Sequence, residues 1–254
     1  MKSSLIIANW KMKLGLAESL ALAKKLAKSA ARNKNVEVVI CPAFTELAAV
    51  GEIIKGSGLK LGAQDCFWEE AGAFTGAISP KNLQEYGVEY VLVGHSERRE
   101  HLAETNDMIH KKIRLLLSLG LTPVLCIGES FSERQEGLKE AVLIGEIHKA
   151  LDGLLLNKLG RLVIAYEPIW VIGSGQAVEA AEAEHTHQAI KHALYDIFPR
   201  QAVDEQVKII YGGSVDPGNI KPFLAEPTVR GVLVGTSSLD ATIFSAIIAT
   251  AAKI

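Results

Sequence analysis

Short apolar runs rich in valine and isoleucine recur along the chain, each separated from the next by a longer stretch of mixed polarity. Eight such runs begin near Leu5, Val36, Leu59, Tyr90, Thr122, Leu162, Val207 and Gly231. Most are followed by apolar residues at helical spacing, as in residues 19–30 and 106–119. The pattern predicts a strand followed by a helix, repeated along the chain.

Several of the runs are apolar at every position, which indicates strands that are covered on both faces. Residues 36–40 (VEVVI), 90–93 (YVLV) and 162–165 (LVIA) are examples. Parallel strands flanked by helices have this character. Because no linker or change of composition divides residues 1–254, we predict an α/β protein with one domain, a (β/α)8 barrel of eight parallel strands. A doubly wound sheet, or two smaller domains, is the alternative.

The charges of the chain nearly balance, with 27 Lys and Arg against 29 Asp and Glu. A net charge of −2 provides no broad basic surface, so we expect no binding to nucleic acid or to a membrane. The cysteines, Cys41, Cys66 and Cys126, form neither a Cys-x-x-Cys pair nor a Cys/His cluster, and we expect no metal site. With no signal peptide at the N-terminus, this cysteine usage favours the cytoplasm.

Polar residues stand where several of the predicted strands end. The first run is followed by Asn9 and Lys11, the fourth by His95 and Glu97, and the sixth by Glu167. Since the carboxyl ends of parallel strands meet at one face, these side chains are expected to converge. Each alone is typical of a surface charge or a structural histidine. Together they suit proton transfer beside a developing oxyanion.

Glycine-rich turns follow the last two runs. Gly212, Gly213 and Ser214 come after the seventh, and Gly235 and Thr236 after the eighth. Taken alone, each is most often a tight turn. As a pair, at loops where such barrels often bind phosphate, they indicate an anion site made by backbone N–H groups. The chain lacks the glycine motifs of nucleotide-binding proteins, so a small phosphorylated substrate is favoured.

The segment directly after Glu167 combines a stiff start, an apolar middle and a glycine-rich end. It consists of Pro168, Ile169, Trp170, Val171, Ile172, Gly173, Ser174 and Gly175. We predict a lid that excludes water from the site. A packed surface loop is the alternative.

Other polar residues are interpreted as solvated helix surface. They are His185, His187 and His192, with the pairs Lys24 and Lys25, and Lys111 and Lys112.

Six short motifs relate the chain to a known protein family. They are NWKM (9–12), AFTG (73–76), GHSERR (94–99), PVLCIGE (123–129), AYEPIW (165–170) and YGGSV (211–215). In order and spacing the chain resembles the triosephosphate isomerase family from end to end. The resemblance implies a TIM barrel that interconverts dihydroxyacetone phosphate and D-glyceraldehyde 3-phosphate in glycolysis and gluconeogenesis, through an enediol(ate) and without a cofactor.

The resemblance also assigns roles at the reacting centre. Glu167 would be the base that moves the carbon-bound proton, and His95, as neutral imidazole, would polarise the carbonyl. Lys11 would supply positive charge and Asn9 a hydrogen bond. Glu97 would adjust the hydrogen bonds around Lys11 and His95.

Further roles concern phosphate and the lid. Backbone N–H groups of Gly173, Ser214, Gly235 and Thr236 would hold the phosphate. Tyr211 and Ser214 would hold the closed lid, Glu129 would hold Trp170 in the open form, and Cys126 would pack behind the site.

The resemblance further implies a two-fold symmetric homodimer. Thr75, at the tip of the 73–76 loop, would approach Met12 and Lys11 of a partner subunit. An exposed insertion is the alternative interpretation of this loop.

Four positions depart from the residues common in the family. Thr236 replaces a glycine, Val171 an alanine, Ser174 a threonine and Ala77 a glutamate. A β-branched residue resists a positive φ, so Thr236 is expected to disturb its turn. Two alternative functions stay open: another sugar-phosphate isomerase or epimerase, and an inactive barrel that binds a sugar phosphate.

Overall fold

The chain forms a closed barrel of eight parallel strands, as the hydrophobic pattern predicts. The computed structural model describes residues 4–30, 35–156, 161–172 and 176–254. The strands are β1 (Ser4–Asn9), β2 (Val36–Cys41), β3 (Leu59–Ala63), β4 (Val88–Val93), β5 (Thr122–Ile127), β6 (Leu162–Tyr166), β7 (Val207–Tyr211) and β8 (Gly231–Val234). Neighbours in sequence are neighbours in the sheet, and β1 pairs with β8 to close it.

Helices follow the strands and cover the outside of the barrel. In the described part of the chain they are α1 (Leu16–Ala30), α2 (Leu47–Ile54), α3 (Pro80–Glu85), α4 (Ser96–Leu102), α5 (Asn106–Ser118), α6 (Phe131–Gln135), α7 (Lys139–Leu151), α8 (Ala180–Ile197), α9 (Arg200–Gln206), α10 (Ile220–Ala225) and α11 (Ala241–Ala251). Short 3-10 helices span Phe44–Glu46, Ile169–Val171 and Thr236–Leu239. None of the helices in these ranges has both the length and the apolar character needed to cross a membrane.

The strands are apolar throughout because both of their faces are buried. Alternate residues of β1 show this: Leu5 and Ile7 belong to the packed interior of the barrel, whereas Ile6 and Ala8 face the layer between sheet and helices. Side chains therefore fill the barrel from end to end, and it is no pore. The space for a ligand lies beyond the strand ends, in the loops that follow them.

Two residues interpreted as helix surface are buried, and for these the prediction was wrong. Lys112 of α5 is 2% exposed, because its ammonium group is paired with Asp65 and Glu104, each at 2.7 Å. His187 of α8 is 0% exposed and meets the ring of Tyr166 edge-on. Both lie on the faces of their helices that pack inward.

The other residues of that set lie at the surface or partly exposed. Lys24, Lys25, His185 and His192 are exposed, and Lys111 is half-buried. The position of a side chain around its helix therefore determines its burial: buried His187 is two residues from exposed His185, and buried Lys112 is adjacent to the more accessible Lys111.

Candidate active site

A cavity of about 290 Å³ opens at the carboxyl ends of the strands. Its walls include residues from the loops after β1, β4, β6, β7 and β8. Among them are Asn9, Lys11, His95, Glu167, Ile172, Gly212, Gly213, Ser214, Gly235 and Thr236. The structure therefore brings together in one cavity the glycine-rich turns and all but one of the polar strand-end residues that the sequence singled out. The exception is Glu97, which is not part of the cavity wall but pairs with Lys11.

The ring of His95 caps the start of α4, and this hydrogen bond fixes the orientation of the ring. Gly94, in the left-handed region at φ 71°, turns the chain out of β4, and His95 then serves as the N-cap of α4. The Glu97 N–H donates to Nδ1 of His95 at 3.2 Å. Since Nδ1 is the acceptor, the ring proton resides on Nε2. This nitrogen lies 3.2 Å from Oε1 of Glu167.

Glu167 is a carboxylate at the base of the cavity, only 2% exposed. Its backbone N–H donates to the Ile127 carbonyl of β5 at 2.7 Å, and its Oε2 accepts from the Ser96 N–H at 3.3 Å. Gly212 leaves the room that this side chain occupies: a Cβ added there would lie 2.9 Å from Cγ of Glu167. The glycine after β7 thus makes space for the carboxylate as well as forming a turn.

Lys11 brings a positive charge to the cavity from a strained backbone. Its φ is 53°, a conformation that costs a non-glycine residue about 1–3 kcal/mol. Two side chains hold it there: the Lys11 N–H donates to Oδ1 of Asn9 at 3.0 Å, and Gln64 Nε2 donates to the Lys11 carbonyl at 2.9 Å. Lys11 Nζ contacts Oε1 of Glu97 at 2.5 Å.

This ion pair sets the charge state of Glu97. Partial burial raises the pKa of the carboxyl, but the hydrogen bond and the charge of Lys11 outweigh burial and hold the pKa below its usual value. Glu97 therefore stays ionised. It contacts Lys11 through its side chain and His95 through its backbone.

Backbone from the last two loops borders the other part of the cavity. Ser214 follows the glycines after β7, and Gly235 and Thr236 begin the 3-10 helix Thr236–Leu239, whose start is not capped by a side chain. N–H groups at such a start lack intrahelical partners and suit an anion. The expected strain at Thr236 was wrong: among the described non-glycine residues only Lys11 and Ala103 have positive φ.

The predicted lid makes contacts with two neighbouring loops. Trp170 Nε1 donates to Oε1 of Glu129 at 2.9 Å, and Ser214 Oγ donates to the Val171 carbonyl at 3.1 Å. Beyond the lid, the Val178 N–H donates to the Tyr211 hydroxyl at 3.4 Å. The contacts expected of open and closed forms therefore coexist here. Pro168, Ile169 and Ile172 complete this segment, whereas Gly173, Ser174 and Gly175 lie outside the described residues.

Arg134 and Glu182, two charged residues near Trp170, were missed by the sequence interpretation. The Arg134 guanidinium lies over the Trp170 ring, 4.5 Å from its centre, and is paired with Glu182 of α8. Glu129 is fully buried and also accepts from the Tyr166 hydroxyl at 3.2 Å. Burial raises the pKa of Glu129 although these hydrogen bonds oppose it. No local pattern marks Arg134 and Glu182, because they lie on separate helices, α6 and α8.

The 73–76 loop projects into solvent, away from the barrel. Residues 71–77, including Thr75 and Ala77, are all exposed. Phe74 is 45% exposed although it packs against Phe67, and Met12 is 94% exposed. Such large apolar side chains in contact with water are typical of a surface that another protein covers.

Two further features bear on chemistry at the site. Cys126 is fully buried behind Glu167, and burial together with the charge of Glu167 raises the pKa of its thiol well above the usual value. Within the described ranges, no three His, Cys, Asp or Glu side chains are grouped so as to hold a metal ion.

Comparisons with known proteins agree with this geometry. The model of the triosephosphate isomerase family matches residues 4–251. The chain is 43% identical to the triosephosphate isomerase of Thermoanaerobacter sp. (strain X514), over 98% of this chain and 99% of the relative. It is 41% identical to that of Pelobacter propionicus, over 96% and 97%.

A solved structure gives the same result. The crystal structure of triosephosphate isomerase from Bartonella henselae superposes with a TM-score of 0.87 at 30% identity and covers 98% of this chain and 99% of that chain. On the family match, the relatives and this structure together, the chain belongs to the triosephosphate isomerase family.

Proposed function

We propose that this chain interconverts dihydroxyacetone phosphate and D-glyceraldehyde 3-phosphate, a step of glycolysis and gluconeogenesis, by proton transfer between adjacent carbons. Membership of the triosephosphate isomerase family supports the reaction. The observation that carries the mechanism is one cavity lined by a buried carboxylate (Glu167), an imidazole with its proton on Nε2 (His95) and an ammonium group (Lys11).

Glu167 is the base of this mechanism. One of its oxygens takes a proton from the carbon next to the carbonyl, and the C–H electron pair forms the C=C bond of an enediolate while the carbonyl electrons move onto oxygen. The same carboxyl group returns the proton to the neighbouring carbon. At 3.2 Å, His95 and Glu167 leave no space for a carbon between them, so substrate entry moves Glu167 away from Ser96.

His95 and Lys11 stabilise the charge that develops on oxygen. The Nε2–H of His95 donates to the substrate oxygen, and a ring already in hydrogen-bonding position needs no reorganisation during the step. The Lys11 ammonium adds a positive charge that Glu97 holds in place, and Asn9 holds the strained Lys11 backbone. Since Nδ1 of His95 is occupied by the Glu97 N–H, Nε2 is the atom that exchanges the hydroxyl proton.

The substrate phosphate is bound by backbone N–H groups of Gly173, Ser214, Gly235 and Thr236. An enediolate next to a phosphate ester can eliminate phosphate, so the intermediate has to be kept from water and from the geometry of elimination. The lid, residues 168–175, serves this purpose. Its apolar middle, with Val171 already buried, replaces water above the site.

The predicted assembly and location belong to the same proposal. Exposure of Met12 and of the loop around Thr75 supports a two-fold symmetric homodimer in which this loop orders Lys11 of the partner. The closed barrel supports a single domain over residues 1–254. Cys41, Cys66 and Cys126 are free thiols, which supports the cytoplasm.

A coupled assay with D-glyceraldehyde 3-phosphate tests the proposal. We expect turnover that is inhibited by 2-phosphoglycolate, an analogue of the enediolate. A pentulose phosphate serves as the second substrate, because turnover of that compound alone would favour an epimerase. Binding of 2-phosphoglycolate without turnover of either compound would favour an inactive sugar-phosphate-binding barrel.

A further inference from the structure

Arg99 of α4 connects the ends of two strands beneath the proposed site. Its Nε donates to the Gly94 carbonyl at 2.7 Å, directly before His95, and its Nη2 donates to the Cys126 carbonyl of β5 at 3.2 Å. Its Nη1 donates to Oδ1 of Asn106 at the start of α5, at 2.7 Å. One planar guanidinium therefore holds two strand ends and a helix start at fixed separations.

Glu146 of α7 extends this connection. Its Oε1 lies 3.2 Å from Nη1 of Arg99, and its Oε2 accepts from the Gly128 N–H at 3.1 Å. Both side chains are largely buried, with Arg99 18% and Glu146 16% exposed. Burial raises the pKa of Glu146, and the charge of Arg99 opposes that rise.

The atoms held by this pair lie on both sides of the contact that carries Glu167. The Ile127 carbonyl, which accepts from the Glu167 N–H at 2.7 Å, is flanked by the Cys126 carbonyl and the Gly128 N–H. Gly128 is also tightly packed: a Cβ added there would lie 1.7 Å from the Glu167 carbonyl oxygen. Any movement of this strand end is therefore passed to the backbone of Glu167.

We propose that Arg99 and Glu146 are a pair of positioning residues that fixes the separation of His95 from Glu167. The pair sets the backbone before His95 through Gly94 and the backbone beside Glu167 through Cys126 and Gly128. Neither side chain lines the cavity, so its effect on catalysis passes through the two residues it positions. The inference deepens the proposed function and rests on it.

The pair has two features that a purely structural ion pair does not need. The guanidinium donates two hydrogen bonds to backbone carbonyls, those of Gly94 and Cys126, that lie close in sequence to the site or to its supporting contact. One oxygen of the Glu146 carboxylate accepts from the N–H of Gly128, the residue after Ile127. Small displacements of reacting groups reduce turnover steeply, about 100-fold for 1 Å. The phosphate loops after β7 and β8 receive none of the hydrogen bonds named here, so phosphate binding is expected to be independent of the pair.

Arg99→Met, Glu146→Gln and the double variant test the proposal against the wild type. For Arg99→Met we expect kcat to fall about 10- to 100-fold. KM and the affinity for inorganic phosphate should change little, whereas the affinity for 2-phosphoglycolate should fall. Glu146→Gln, which keeps the shape but has one acceptor oxygen for two donors, should show the same pattern. The double variant should lose less than the product of the two single losses.

Ile248→Ala on α11 is the control, because it creates a cavity in the buried layer far from these contacts and lowers stability without changing the pair. We expect it to keep its kcat at temperatures where it is folded. If Arg99→Met and Glu146→Gln lose thermal stability but keep kcat and 2-phosphoglycolate affinity, as Ile248→Ala does, the pair is merely structural and the proposal is wrong.

Crystal structures of the same variants separate this inference from the proposed function. We expect the distance between His95 Nε2 and Glu167 Oε1 to differ from that of the wild type in Arg99→Met and in Glu146→Gln. Unchanged positions of both side chains would contradict the positioning role even if the wild type failed to isomerise the triose. An inactive wild type whose variants show the displacement would overturn the proposed function and leave the positioning role standing.

Discussion

Nε2 of His95 lies 3.2 Å from Oε1 of Glu167, at the ends of two strands that are not neighbours in the sheet. The hydrogen bond at the other ring nitrogen, Nδ1, determines the tautomer of the imidazole. Because the Glu97 N–H occupies Nδ1, the neutral ring carries its proton on Nε2, facing the carboxylate and the cavity. The structure thus orients the one N–H of the ring toward the place where the substrate carbonyl is expected.

Nitrogen NMR of the ring tests this tautomer. At neutral pH we expect the shifts of His95 to be those of an imidazole protonated at Nε2 and unprotonated at Nδ1. His185, an exposed residue of α8, is the control and should show averaging between tautomers. A neutral ring protonated at Nδ1 instead of Nε2 would remove His95 as the donor to the substrate oxygen.

Met12→Glu tests the proposed dimer. Placing a carboxylate at a side chain that is 94% exposed in one subunit and covered in a dimer should weaken association by about 3 kcal/mol, through an unpaired buried charge. Sedimentation velocity should show a dimer for the wild type and monomer for the variant at low concentration. Leu155→Glu is the matched control, since Leu155 is 85% exposed but belongs neither to the 73–76 loop nor to the segment of Lys11 and Met12 that this loop is proposed to contact. A monomeric wild type, or equal effects of both changes, would contradict the proposed interface.

Lys112→Met tests the buried ion pairs of α5. Removing the ammonium leaves the buried carboxylates of Asp65 and Glu104 with less positive charge to balance them. We therefore expect the free energy of unfolding to fall by about 3–5 kcal/mol in urea titrations. Lys111→Met is the control: Lys111 pairs with Asp107 at the surface, a contact that contributes less than about 1 kcal/mol. Equal losses for the two lysines would show that the burial of Lys112 has no energetic consequence.

The fold could be predicted from the sequence because burial on two faces makes a strand apolar at every position. Six strands begin at the predicted residue, β1 begins one residue earlier, and β4 shows the largest difference, beginning at Val88 rather than Tyr90. Glu89 is exposed, so the apolar run becomes visible only after it. The closure of the sheet followed from the count of strands and the lack of a linker.

The polar strand-end residues could be placed in one cavity by the same logic, but their supporting contacts could not. Gln64, after β3, contacts Lys11, and Ser96, at the start of α4, contacts Glu167, at sequence separations of 53 and 71 residues. Lys112 and His187 were mistaken for surface because neither their ion pairs nor the inward face of their helices is visible in local composition. Such contacts depend on how helices pack, which short-range patterns do not encode.

His187 makes stability depend on pH. Burial lowers the pKa of this histidine from 6.5 to about 4, although Glu184 opposes the shift. Between these values the unfolded chain binds a proton that the folded chain does not, so the free energy of unfolding falls as pH falls from 6.5 towards 4. The full effect is about 3 kcal/mol.

His187→Leu, which cannot be protonated, isolates this contribution. The difference in unfolding free energy between wild type and variant should shift in favour of the variant as the pH is lowered from 7 to 4. His192→Leu is the control, because His192 lies on the same helix as His187 but is exposed. A constant difference between wild type and His187→Leu over this range would contradict a buried neutral histidine.

The most direct test of the mechanism is the turnover of Glu167→Gln beside the wild type, with D-glyceraldehyde 3-phosphate as substrate. Glutamine preserves the shape and cannot accept the carbon-bound proton, so kcat should fall by about 100- to 10,000-fold while inorganic phosphate still binds. Glu184→Gln, a change at another buried carboxylate, should keep its kcat. A Glu167→Gln enzyme that turns over within about tenfold of the wild type would contradict the assignment of Glu167 as the base.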